Sequence, residues 1–555
     1  MKRSLPGLLA RERARRAATA FALFWALNAW SQVAAPSLAS GFHIAGRVVN
    51  SSTGEPVARA SVVAHSDDSR IVAAAMSDAD GRFSIENLPA GKYPLSASKR
   101  GYRSAFYDEH EEFNSAIVTG EGLDTEHLEF TLVPAATLHG VITADGGDPV
   151  EGADVMLFRQ PDLSHASEGP VQADGAMTDD TGAYEFSDLS AGEYFVAVKA
   201  DPWYALHGRS NRNADGSASI LDVAYPITFF DSTVDEAAAV PIKLAEGSRE
   251  EANISLHAVP ALHLRLLDTS PKNGARSIEL RETLFGKEIQ TRGMLAVQRG
   301  NIETTGIAPG HYELTHGDPP RTIEFNASSD LEIESDAGTA AVSVRGTLRT
   351  SGGAAIADEA NLLLEPEDGP GRTRLQTFAQ KGQFVFEGVL PGRWSISVYA
   401  GPEGQSLPVV SIASGQHALP GNEIVVADRP VNIAVAVSRT QTRIQGFARL
   451  NGKPASGVMV VLVPHAPGAY VSLVRRDQSD SDGSFSLRDV APGQYTVIAI
   501  DDGWKLDWRK REAIVPYLAG GVPVTISDRS NPVVQLPKVV SAVPRSDAAT
   551  GPGTR

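Results

Sequence analysis

Gly483-Ser-Phe-Ser-Leu-Arg-Asp-Val-Ala-Pro-Gly-Gln-Tyr495 decides the fold, because the chain repeats it. Gly81–Tyr93 reads GRFSIENLPAGKY, Gly182–Tyr194 reads GAYEFSDLSAGEY, and Gly382–Trp394 reads GQFVFEGVLPGRW. A weaker copy, Gly300–Tyr312, reads GNIETTGIAPGHY. The copies start at Gly81, Gly182, Gly300, Gly382 and Gly483, in steps of 101, 118, 82 and 101 residues, which predicts five domains of one type. Within a copy the apolar residues alternate, as in Tyr184 and Phe186 or Phe485 and Leu487, so they share one face of a strand. Asp78-Ala-Asp-Gly81, Asp179-Asp-Thr-Gly182 and Asp480-Ser-Asp-Gly483 precede the strand, and such turns use glycine for its tolerance of positive φ. The second Gly opens another alternating strand, with Tyr495, Val497 and Ala499 on one face. The unit is strand, turn, strand.

A second pattern lies upstream of four copies. Gly46-Arg-Val-Val is followed by Pro56-Val-Ala-Arg-Ala60-Ser-Val, and Gly140-Val-Ile-Thr by Pro149-Val-Glu-Gly-Ala153-Asp-Val. Gly346-Thr-Leu-Arg, and Gly446-Phe-Ala-Arg with Pro454-Ala-Ser-Gly-Val458, continue the series. This is a strand, a polar turn, and a Pro-marked entry into a second strand. Taken together, the order G-x-V, PV-x-GA-x-V, TD-x-x-G-x-aromatic and L-x-AG-x-Y resembles the carboxypeptidase regulatory-like domains. The third copy departs from it, lacking the Asp-Gly turn and the first Gly. The resemblance implies an all-β chain of five tandem transthyretin/Ig-like β-sandwich domains in an elongated array. The expected divisions are a signal peptide over 1–39, sandwiches over 42–134, 137–258 with an extended loop insertion, 260–338, 340–437 and 441–540 with a short helical insertion around Trp504–Tyr517, and a disordered tail over 541–555. A fibronectin type III sandwich is the rival, since its corner segment also runs from an apolar residue through Pro-Gly to Tyr. Both readings give a sandwich. Short junctions between domains, such as Pro134-Ala-Ala and Ser438-Arg-Thr, predict a semi-rigid rod or arc.

The amino terminus reads as an export signal. Lys2, Arg3, Arg11, Arg13, Arg15 and Arg16 precede the apolar run Ala17–Trp30, and small residues follow at Ala29-x-Ser31 and Ser37-x-Ala39. An uncleaved membrane anchor is the alternative, although the run is short for a span of about 20 residues. The 555-residue chain has a net charge of −17 and no cysteine. Export without disulfides points to a bacterial envelope or extracellular compartment and to domains held by their cores alone. No basic patch follows the leader, which argues against a nucleic-acid partner.

The family name invites a search for a peptidase zinc site, which needs three protein ligands and an open position. His165-Ala-Ser-Glu168 is a His-x-x-Glu pair, but it sits in a variable loop with no catalytic domain around it. There is no His-Glu-x-x-His, Gly-x-Ser-x-Gly or P-loop, and no thiol. The reading is therefore a non-enzymatic chain with no cofactor and no metal. Asn211-Arg-Asn213-Ala-Asp215-Gly216, with Asp222 in the twelfth place, partly fits a calcium loop, but its first and last positions depart from the pattern, and a polar surface loop is expected. The candidate ligand-binding residues are aromatics outside the repeat frame: Trp203, Tyr204, Trp504, Trp508 and Tyr517. Aromatic faces in loops stack on sugars, and equally they can pack an extension onto its own sandwich. A polysaccharide or a cell-envelope protein is the expected partner, and the chain is expected to be a monomer.

Overall fold

The computed structural model describes residues 41–546, less 162–168, 208–220, 268–277, 368–373 and several stretches of one to four residues. The expected signal segment, the His165–Glu168 pair and most of the Asn211–Asp222 loop lie outside the described residues. Two units are distinguished, Met1–Gly41 and Phe42–Arg555, and all that follows concerns the second.

That unit is built of five β-sandwiches, each around its own apolar core. One topology recurs. In the first sandwich, Phe42–Asn50 pairs antiparallel with Arg82–Leu88 and parallel with Leu128–Leu132. Opposite lies a sheet in the order Ile71–Met76, Ser61–His65, Leu95–Ser98, Ala105–Phe106. The same antiparallel and parallel neighbours flank the opening strands Ala136–Thr143, Leu262–Leu267, Val342–Thr350 and Thr442–Leu450. A bulge recurs at the same place in all five, from Phe42/Ile44 to Thr442/Ile444.

The repeat residues have identifiable duties. The closing aromatic is buried in every copy and donates to the carbonyl four residues before it. Tyr93, Tyr194, Tyr312 and Tyr495 bond Pro89, Ser190, Ala308 and Ala491 at 3.0, 2.9, 2.9 and 2.8 Å. Trp394 does the same through its indole N–H to Leu390, at 2.9 Å, which explains why Trp can replace Tyr. The glycine of the opening strand faces the first aromatic of the repeat: Gly46 opposes Phe83, Gly140 Tyr184, Gly346 Phe384 and Gly446 Phe485. A Cβ at Gly346 would lie 2.3 Å from the Phe384 ring. In the third sandwich the pair is Leu266 opposite Ile302. Glycine plus a large ring has been exchanged for two mid-sized side chains, a volume-conserving swap that cores tolerate. The third copy is thus a repacked sandwich.

One reading needs correction. Residues Val540–Pro544 form a strand, pairing parallel to both Thr442–Leu450 and Gly493–Asp501 with Val540 fully buried, so the expected tail from 541 is ordered to that point. The small residues suggested disorder, but Val540 and Ala542 alternate into the core. The Trp504–Tyr517 stretch holds short helical segments: a turn of 3-10 helix at Gly503–Lys505, then the α-helical turn Arg511–Ile514 running directly into the 3-10 helix Val515–Gly520.

Candidate functional site

The five candidate aromatics fall into two groups. Trp203 and Tyr204 follow Asp201-Pro202 after the strand Gly192–Lys199, where the fixed φ of proline turns the chain off the sheet. Trp203 is 93% exposed, and its ring meets that of Tyr204 edge-on at 5.7 Å. Exposure of a whole indole forgoes a large burial gain. It leaves one aromatic face free, with a second ring at right angles.

The other three residues lie in the Trp504–Gly520 extension of the fifth sandwich. Met459–Pro464 is apolar on both faces and buried throughout, as expected of a central strand. Val460 and Leu462 enter the sandwich core. Met459, Val461 and Val463 point the other way, and the extension covers them with Trp504, Leu506, Ile514 and Tyr517. Trp504 and Tyr517 are buried, and the Trp504 indole donates to Gly457 at 3.0 Å. Trp508 is half-buried, with the Arg476 guanidinium 4.1 Å from its ring centre. These rings do not join Trp203 in one face.

Most of the residues that sequence reasoning missed are polar, and they lie between sandwiches. Glu246 accepts from Ser51 and Ser52 between the first and second sandwiches. Lys199 pairs with the buried Glu282 between the second and third. Phe285, at a hairpin tip, enters a pocket of Phe158, Phe195 and Phe229 at ring distances of 5.1, 5.3 and 5.7 Å. Asp222, the proposed twelfth calcium-loop position, is buried and accepts from His207 at 3.0 Å and His263 at 2.8 Å. Burial pushes its carboxyl up, but the two imidazole hydrogen bonds outweigh that and leave it below the ordinary range. Among the described residues no group of three or more His, Asp or Glu side chains is placed to hold a metal ion.

The first and fifth sandwiches also touch. Lys92 pairs with Asp480 and donates to Ser484 at 2.7 Å. Ser115 donates to the Ser479 carbonyl at 2.9 Å, and Gln478 donates to Ser115 at 2.9 Å. His110 stacks on Trp504, with ring centres 5.3 Å apart and planes at 10°. The only sequence signal for this contact is the acidic run Asp108–Glu112, which has the composition of a solvated loop.

This architecture defines a class, the tandem β-sandwich array. Residues 43–132 and 137–225 each match the family described as carboxypeptidase regulatory-like domain, one match in each of the first two sandwiches. Colossin-A of Dictyostelium discoideum is 22% identical over 282 residues, covering 47% of this chain and 2% of that protein. Among solved structures, the Bacillus anthracis TIE protein aligns at 11% identity over 71% of this chain and 74% of its own, with a TM-score of 0.17. A streptococcal ancillary pilin aligns at 12% over 52% of this chain and 99% of its own, with a TM-score of 0.19. Two B repeat units of the Staphylococcus aureus collagen-binding protein align at 9% over 72% and 100%, with a TM-score of 0.13. Among the described residues no helix is long and apolar enough to cross a membrane.

Proposed function

We propose that the chain is an exported, non-catalytic binding scaffold of a bacterial cell envelope, which holds a polysaccharide through the Trp203–Tyr204 loop. The carrying observation is the contrast among the five aromatics. Trp504 and Tyr517 are buried in packing and Trp508 is half-buried, whereas Trp203 stands 93% exposed. A free indole is a low-entropy platform for the apolar face of a sugar ring. Export is supported by the basic segment from Lys2 to Arg16 followed by the apolar run Ala17–Trp30. The second reading is a structural or adhesive array with protein partners. Burial of Trp504 and Tyr517 favours it, because those rings bind the protein to itself.

A glycan array probed with residues 40–555 separates the two. The polysaccharide reading expects saturable binding that a folded Trp203→Ala variant loses. Absence of binding to every polysaccharide would transfer the role to protein contact.

A further inference from the structure

We infer that the Arg476–Trp504–Trp508 face of the fifth sandwich is a docking cradle for an acidic loop bearing an aromatic ring, and that residues 108–113 of the first sandwich occupy it in the same chain. This is independent of the polysaccharide reading, which concerns the Trp203 loop.

The cradle is built around one cation. The Arg476 side chain is only 6% exposed and stacks on Trp508. Its guanidinium also lies 5.2 Å from the Phe113 ring centre and 2.7 Å from the Glu111 carboxylate. A buried guanidinium is costly unless a carboxylate and aromatic faces replace its water, and here the first sandwich delivers both. His110 and Phe113 lie against Trp504 at 5.3 and 5.4 Å. The occupying sequence, Asp108-Glu-His-Glu-Glu-Phe113, supplies acid and rings within six residues. Aromatic side chains and Arg are also the residues that dominate binding energy at interfaces.

Two features separate this docking from ordinary packing. First, the repeat's turn aspartate has been diverted. Asp78 and Asp179 each accept from two backbone N–H groups of their own turns. Asp480, in the same place, accepts from Lys92 and from the Ala116 N–H of the first sandwich, the latter at 2.9 Å. Second, among the described residues the two sandwiches share no sheet, and one backbone–backbone hydrogen bond, Ser481 N–H to the Ala116 carbonyl at 3.0 Å, joins them. The other contacts all involve side chains, from residues more than 360 positions apart in sequence, as with Glu111 and Arg476, 365 apart. Such an interface can open without unfolding either core.

The chain has no cysteine, so a dye pair at D67C and R488C reports the first-to-fifth distance cleanly. The expected result is high energy transfer in the otherwise unaltered chain and loss of most of it in Glu111→Gln/Phe113→Ala and in Arg476→Ala. Glu121 is exposed in the first sandwich outside the 108–113 loop, so Glu121→Gln should leave transfer unchanged. Circular dichroism identifies any variant that loses strand content, and the two sandwich-1 substitutions keep the test independent of the fifth core. In the opened chain Trp504 should become quenchable by acrylamide. A synthetic peptide of residues 107–114 should protect it again, and the same peptide with Glu111→Gln and Phe113→Ala should not. Transfer unchanged in both opened variants, or no protection by the peptide, would overturn the inference.

Discussion

At the scale of single residues, the repeat is a set of hydrogen-bonding and steric duties. The closing aromatic is a buried donor, and any residue with a ring and an N–H or O–H at its far end serves. Burial pushes the Tyr495 hydroxyl up to about 12, so it remains a donor at physiological pH. Tyr495→Phe leaves the Ala491 carbonyl without its 2.8 Å partner and should cost about 1 kcal/mol by urea unfolding. Asp477 behaves differently. Burial raises its carboxyl to about 6, with Asp480 adding to the rise and the Ser486 N–H opposing it. Because the folded value lies above the unfolded one, its stabilising contribution is full below the unfolded value and is lost as pH rises through about 6. Asp477→Asn, which keeps an acceptor for Ser486, should therefore raise Tm at pH 8 and lose that advantage below about pH 4. Thermal melts at both pH values check this, and an equal gain at both would contradict it.

At the scale of elements, legibility followed local chemistry. Alternation, Asp-Gly turns and Pro-marked entries announced the strands around each repeat, and Gly81, Gly182 and Gly483 do take positive φ, at 76°, 75° and 79°. The closing strand of the fifth sandwich was hidden because Val540-Ser-Ala-Val-Pro544 looks like tail composition, and its strand identity comes from two parallel neighbours. Truncation after Lys538 should uncover the buried Val540 and Ala542 sites and destabilise the fifth sandwich by about 2–4 kcal/mol, read by urea unfolding. The third sandwich was hard to recognise for a related reason. Leu266 opposite Ile302 preserves volume while erasing the Gly-aromatic signature.

At the scale of the whole molecule, the contacts between sandwiches were the least legible. Lys199–Glu282, Phe285 in its ring pocket and Arg476 with Glu111 join residues far apart in sequence, so no local pattern marks them. The same limit applied to the candidate site. Aromatic residues outside the repeat frame were visible, but their composition alone could not separate an exposed platform from packing. The structure places Trp203 in solvent and Trp504 beneath the first sandwich's His110 and Phe113.

Acrylamide quenching of residues 40–555 tests that division of the tryptophans directly. That chain retains Trp203, Trp394, Trp504 and Trp508. Readily quenched fluorescence should come chiefly from Trp203 and disappear in Trp203→Phe, with the remaining emission protected. Strong quenching that survives Trp203→Phe and disappears in Trp504→Phe/Trp508→Phe would contradict it.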